Sequence, residues 1–289
     1  LGYGKMSIYS GVLSIESNMK TAVLGGGNMG GAIAKSFFAG INGTEKIITG
    51  KNPEIEVTVT HAREDLRKWN SENGSVIEFA EDNCKAIAGA DIVVLAVKPY
   101  KAEEVINGIK DAPDFRNKTI ISVAAGISCG QLQEMCGNPE QNVFRIIPDT
   151  AIMLGQSATF ISCSSGCTTE MRKTVREIFS RTGQVYEVEE DLMSALTALS
   201  SCGIAYVMRF IADMINAGNA EGIAYELSRK VVFQTVKGAL ALLDRKDADA
   251  ETEIKRVCTP GGITEKGLKA MEEHGFGEAV KAGIKASIK

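Results

Sequence analysis

Residues 21–37, TAVLGGGNMGGAIAKSF, constrain this chain more than any other stretch. A short apolar run, Lys20 to Leu24, reads as a buried strand; it breaks into glycines and resumes from Gly30 to Phe38 with small and apolar residues at helical spacing. A strand that enters a helix through G-x-G-x-x-G leaves few folds open. Gly25 permits the tight turn, Gly27 lets the backbone approach a pyrophosphate, and Gly30 allows the helix to lie close on the sheet. Free N–H groups and the positive end of the helix dipole then point out of the turn. A plain strand-to-helix turn that binds nothing has the same local spacing, so the wider pattern has to decide.

That pattern is repeated alternation. Strand-like segments at Glu56 to Thr60 and Asp91 to Val97 (DIVVLAV) flank a helix-like Ala62 to Asn70. Further strands are expected at Thr119 to Val123, Val143 to Ile146, Ala158 to Ser162 and Gln184 to Val188, separated by helix-length pieces. This predicts an α/β fold with a Rossmann-like doubly wound parallel sheet, the glycine turn standing at its first βα junction, where a dinucleotide binds. From about residue 190 the strand signals stop. DLMSALTALSSCGIAYVMRFIADMINAGNAEG and AYELSRKVVFQTVKGALALLDR carry apolar residues at helical spacing, which predicts an all-α C-terminal domain. The expected organisation is a disordered extension over 1–18, a dinucleotide-binding domain over 19–189, and a helical domain over 190–289.

Composition narrows the partners. The formal charge is −4, which gives no general attraction to nucleic acid. Seven cysteines without a C-x-x-C pair, and two histidines, do not make a zinc site and read as reduced thiols of a cytoplasmic protein. No uninterrupted apolar run reaches the ~18 residues of a membrane span, so no membrane association is expected.

Cofactor choice is read at the end of the second strand, where an NAD site carries a carboxylate for the ribose 2′-hydroxyl. Here the residues are Val59-Thr60-His61-Ala62-Arg63: a hydroxyl followed by two cationic candidates, suited to a 2′-phosphate. NADPH is therefore expected over NADH, with Thr60, His61 and Arg63 as ligands; the plainer alternative is that His61 and Arg63 begin a solvated helix. Asn28 and Met29 complete the phosphate turn. Val97, Lys98 and Pro99, then Ala124, Ala125 and Gly126, lie at strand ends on the edge where open α/β sheets bind ligands, and are expected to touch the cofactor; tight packing explains the alanines equally well.

A second glycine motif stands far downstream, at Thr259-Pro260-Gly261-Gly262-Ile263-Thr264. It ends one segment and opens another helix, with exposed N–H groups beside the Thr264 hydroxyl. Such a helix start can hold a small carboxylate; on spacing alone it is also a common cap. Taken with GGGNMG at 25–30, AVKP at 96–99, SVAAG at 122–126, RIIPDT at 145–150 and AYVMRFIADM at 205–214, the segment VCTPGGITEKGLKAMEE at 257–273 resembles the pyrroline-5-carboxylate reductases, from about Met19 to the C-terminus. The resemblance implies reduction of 1-pyrroline-5-carboxylate to L-proline with NAD(P)H. It implies that Thr259, Gly261, Gly262, Ile263 and Thr264 bind the substrate, with the Thr264 hydroxyl on the ring nitrogen as the catalytic contact. It also implies that the helical domain binds substrate and forms a homodimer, alone or built into larger rings.

Three stretches depart from the family's pattern, one of them KDADAET at 246–252, which stands where a His-Pro-Gly is often found. Cys202-Gly203-Ile204 replaces Ser-Ser-Pro, and Asp149 stands where an asparagine is usual; a carboxylate there would oppose an anionic ligand if it faced the cleft. Other readings on this architecture are a related imine or hydroxyacid reductase and a non-catalytic dinucleotide sensor. Hydroxyacid enzymes use a lysine on the long interdomain helix, and residues 192–216 contain only Arg209 as a base.

Overall fold

The computed structural model describes residues 19–38 and 55–288; the expected extension over 1–18 lies outside the described residues. The chain divides after Glu190 into two compact units.

The first unit opens with β1 (Met19–Leu24), α1 (Asn28–Ser36), β2 (Ile55–Thr60), α2 (Glu64–Glu72), β3 (Ile77–Ala80), α3 (Asn83–Ile87) and β4 (Ile92–Leu95). It continues with α4 (Ala102–Asn107), β5 (Thr119–Ser122), α5 (Cys129–Cys136), β6 (Val143–Ile147), β7 (Ser157–Cys163), α6 (Thr169–Ser180) and β8 (Gly183–Glu187). The eight strands form one sheet in the order β3-β2-β1-β4-β5-β6-β7-β8. Between β1 and β4 the winding reverses, because the chain runs outward to β2 and β3 on one side and to β5 and beyond on the other. Both faces of the central strands are covered, so the residues of β4, β5 and β6 are buried whichever way they point, while the edge strands β3 and β8 are largely open. Val23, Val57, Val94 and Phe144 pack into one core with Ile33 and Leu66, while Ala22, Leu24, Val93 and Leu95 pack into the other with Ile106 and Leu132.

Two expectations are corrected. The strand at Asp91 to Val97 is the fourth, not the third: β3 and α3 intervene, and β3 has only four residues. The sheet is also not wholly parallel, since β7 runs antiparallel to β6 with Ile147 opposite Phe160. The link between them, 148–156, is a short turn carrying one 3-10 segment, Thr150–Leu154, too short for the crossover a parallel neighbour needs.

The second unit is helical. Its first helix runs continuously from Glu190 to Ala220. It comprises a 3-10 start, α7 (Met193–Thr197), a π-helical segment over Ala198–Cys202 and α8 (Gly203–Ala220). Then come α9 (Tyr225–Leu243), α10 (Ala250–Val257), α11 (Ile263–Glu273) and α12 (Phe276–Ala286). The π segment ends at Cys202, and Ile204, which stands where the family's pattern has proline, is the second residue of α8. Tyr206 ties α8 to α12, its hydroxyl donating to the Gly283 carbonyl at 3.2 Å and pairing with Ser287 Oγ at 2.5 Å. By length and composition alone the helix Glu190–Ala220 is long and apolar enough to cross a membrane, a property it shares with core helices of soluble proteins, although no uninterrupted apolar run in it reaches that length. Arg209 and Asp213 interrupt the apolar run, and they pair with each other at 2.9 Å.

Candidate active site

All the cofactor candidates of the first unit come together on one edge of the sheet, at the C-terminal ends of β1, β2, β4 and β5. This is the edge, at the reversal of winding, where open α/β sheets bind ligands. The three glycines of the spacing have distinct local reasons. Gly25 has φ +105°, and a methyl there would stand 2.8 Å from the Ala96 carbonyl oxygen and 3.0 Å from Val97 Cγ1. A methyl at Gly30 would stand 2.0 Å from the Gly25 oxygen. At Gly27 the same direction is empty to 4 Å. Gly27 is the N-cap of α1 and makes no side-chain cap, so no capping side chain takes up the first-turn N–H groups. The turn therefore fits a diphosphate: backbone donors, a helix dipole, and room for the ligand.

Gly26, to which the spacing assigns no role, is the joint between the two turns. Its N–H donates to the Thr60 carbonyl at 2.7 Å, and its carbonyl accepts from Arg63 N–H at 3.2 Å. A methyl on it would stand 2.6 Å from Ala62 Cα. Thr60 is wholly buried; its hydroxyl donates to Asn83 Oδ1 at 2.8 Å and accepts from Gly25 N–H at 3.3 Å. The hydroxyl read as a phosphate ligand is thus committed to the turn, and Asn83 on α3 is a supporting residue that sequence spacing did not reveal. His61 is exposed, with φ +51°. Arg63 is the N-cap residue of α2, and α2 starts two residues later than the helix expected from Ala62 because Arg63 is itself extended, with φ −69° and ψ 160°. At the other strand ends Lys98 and Pro99 are exposed, Ala124 is buried, and Ala125 and Gly126 are exposed, Gly126 with φ +81°.

Asp149 does not act as an open carboxylate. It is 6% exposed; Oδ1 accepts from Ala151 N–H at 2.7 Å, Oδ2 accepts from Ala158 N–H at 3.0 Å, and its own N–H donates to Ser157 Oγ at 3.0 Å. It caps the 3-10 turn between β6 and β7, and two N–H donors suit a carboxylate better than the asparagine of the family's pattern.

The second unit holds the other candidate group. Gly261 has φ +72°, Gly262 is the N-cap of α11 without a side-chain cap, and a methyl on Gly262 would stand 2.4 Å from Thr259 Oγ1. Gly262 N–H donates to the Thr259 carbonyl at 2.8 Å, which closes the turn. The Gly261 N–H, expected to meet a ligand, is instead held by Glu265 Oε2 at 2.6 Å. That leaves the first-turn N–H groups of Ile263 and Thr264 as donors. Thr264 is half-buried and lines a cavity of about 260 Å³ with Leu242, Leu243, Ile254, Val257 and Leu268. Ile263 is 89% exposed, so nothing within its own unit accounts for an apolar residue there. His274, at the C-terminal end of α11, is exposed and its Nδ1 lies 2.8 Å from the Ala270 carbonyl.

Comparison with known proteins fits both units. Residues 190–289 match the family described as pyrroline-5-carboxylate reductase dimerisation, and residues 20–126 match NADP oxidoreductase coenzyme F420-dependent. The pyrroline-5-carboxylate reductase of Aquifex aeolicus is 32% identical over 91% of this chain and 92% of its own length. Pyrroline-5-carboxylate reductase 1 of Bacillus subtilis is 30% identical over 96% and 90%. The crystal structure of the Plasmodium falciparum pyrroline carboxylate reductase with NADP bound superposes with a TM-score of 0.80 at 28% identity, covering 94% of this chain and 96% of that one. With a dinucleotide turn in one unit, an uncapped glycine-paired helix start in the other, and relatives that span both, the chain belongs to the pyrroline-5-carboxylate reductase family.

Proposed function

We propose that this chain reduces 1-pyrroline-5-carboxylate to L-proline, the last step of proline synthesis, with NADPH as the preferred donor and NADH as a second one. The observation that carries the reading is the continuity of the likeness to named reductases through both units, over 91% of the chain. The bound dinucleotide supplies the hydride. Asn28, Met29 and Gly30 offer their N–H groups to its diphosphate at the start of α1, and His61 and Arg63, just past the end of β2, are the polar side chains beside it for the cofactor's phosphates. Val97, Lys98, Pro99, Ala124, Ala125 and Gly126 form the strand-end surface along which the rest of the cofactor lies.

In the helical unit, Thr259 and Gly262 shape the turn, and the N–H groups of Ile263 and Thr264 hold the substrate carboxylate. The Thr264 hydroxyl hydrogen-bonds the ring nitrogen. A cyclic imine protonated on nitrogen is already electrophilic, so alignment does most of what a general acid would do elsewhere. This accounts for a site whose candidates include no histidine or cysteine in contact with substrate. The hydroxyacid alternative lacks its lysine over 192–216.

The assembly follows from exposed apolar faces. Val207, Met208, Leu227, Val231 and Leu240 on α8 and α9 are more than half exposed. A second copy covering both helices accounts for them, including the apolar stretch of Glu190–Ala220, without a membrane. Seven free thiols fit a reducing cytoplasm. The test is NADPH oxidation with racemic 1-pyrroline-5-carboxylate, with light scattering on the same sample. Absence of turnover removes the reaction, and a monomer at micromolar concentration removes the dimer.

A further inference from the structure

His61 and Arg63 stand on the same turn but in unlike surroundings. Arg63 is turned back over the glycine turn, where its Nη1 donates to the Asn28 side chain on the first residue of α1. Its acidic partner is Asp65, Nε to Oδ1 at 3.3 Å, a pair with both side chains more than half exposed and so weakly neutralising. The first turn of α1 carries no acidic residue and no side-chain cap. A guanidinium and the positive end of a helix therefore converge beside Gly27, where the added-methyl direction is empty to 4 Å. Two positive features facing one open space suit a diphosphate, which NADPH and NADH share.

His61 is held differently. Its neighbours are tied to Gly26: the Thr60 carbonyl accepts from Gly26 N–H at 2.7 Å, and Arg63 N–H donates to the Gly26 carbonyl at 3.2 Å. The residue between these ties takes φ +51°, a region histidine and asparagine enter more readily than other side chains. Its exposed imidazole makes no hydrogen bond to another described residue.

We infer that the two residues divide the work: Arg63, clasped to Asn28, holds the diphosphate common to both cofactors, and His61 reads the 2′-phosphate. The division rests on the reductase reading, and the two fail separately. Calorimetric titration of the full chain with NADPH and with NADH, for the parent, Arg63→Gln and His61→Asn, tests it. Asparagine keeps the left-handed backbone at 61, and an unchanged thermal midpoint checks that each variant is folded. Arg63→Gln weakens both nucleotides about tenfold, as expected for one charge-assisted hydrogen bond, and keeps their ratio within about twofold. His61→Asn weakens NADPH about tenfold and leaves NADH unchanged, the size of one lost hydrogen bond to a charged group. An Arg63→Gln loss confined to NADPH overturns the division, as does a His61→Asn protein with the parent's preference. A parent that binds both nucleotides but does not turn over the imino acid overturns the reductase reading instead.

Discussion

Replacing Gly27 and Gly30 with alanine, one at a time, separates binding from folding within a single turn. At Gly30 the new methyl would stand 2.0 Å from the Gly25 carbonyl oxygen and 2.8 Å from Ala96 Cβ. Neither is the end of a flexible side chain, so backbone must move, and the cost is about 2–3 kcal/mol, the upper part of the overpacking range. For a chain of this size that is a fall in thermal midpoint of about 4–12 °C. At Gly27 the backbone has φ −76° and the methyl meets nothing. Alanine is a poorer N-cap than glycine, so the fold loses about 0.5–1 kcal/mol and the midpoint about 1–4 °C. The methyl nevertheless fills the space left for the diphosphate, and NADPH affinity falls at least about tenfold, or 1.4 kcal/mol. Circular dichroism melts and calorimetric NADPH titrations read both quantities. The reasoning is refuted by a Gly27→Ala protein that binds NADPH like the parent, or by a Gly30→Ala protein that melts with it.

Three further outcomes follow from the geometry. Thr264→Ala lowers kcat/KM about tenfold or more, matching one hydrogen bond of about 1.5 kcal/mol in the transition state, and Thr264→Ser recovers most of it; equal rates for parent and alanine variant remove the role. Asp149→Asn presents an amide donor to one of two backbone donors, so stability falls by about 1–3 kcal/mol in urea melts while NADPH affinity is unchanged; an affinity change with no loss of stability would return Asp149 to the binding surface. Lys118 is buried, its Nζ donating to Asp114 Oδ2 at 2.6 Å and the Ala90 carbonyl at 2.8 Å, and this hydrogen bond holds the Asp114 carboxyl below its ordinary value. A depressed carboxyl adds stability above its unfolded pKa and loses it as pH falls through the folded one. Acid melts of the parent should lose this contribution below the ordinary carboxylate range, and Asp114→Asn should cost about 1–2 kcal/mol at neutral pH, discounted because Asp114 is half-exposed, with a flatter acid limb. Parallel acid limbs for the two proteins would refute the assignment.

Much of the framework was legible because it is local. β1, its glycine turn and α1 lie within 18 residues, and hydrophobic period alone separates the strand-rich part from the helical one. β3 escaped because Ile77–Ala80 is four residues with one inward side chain fully buried, a signal no stronger than a loop's. The antiparallel turn of β7 escaped because direction depends on how the chain returns to the sheet, which no period records.

The candidate site shows the same limit at atomic scale. Residue types and their order were enough to place a dinucleotide turn and an uncapped helix start in the chain, since glycine spacing acts through the backbone of its own neighbours. They did not say that Thr60 is spent on Gly25 and Asn83, that Asp149 is closed by Ala151 and Ala158, or that Glu265 takes the N–H of Gly261. Nor did they show why Gly26 has to be glycine: the chain that crowds it returns from more than thirty residues away. A sequence lists which donors and acceptors exist, but pairing is decided by which loops the sheet brings side by side, and a buried polar group takes whichever partner the packing delivers.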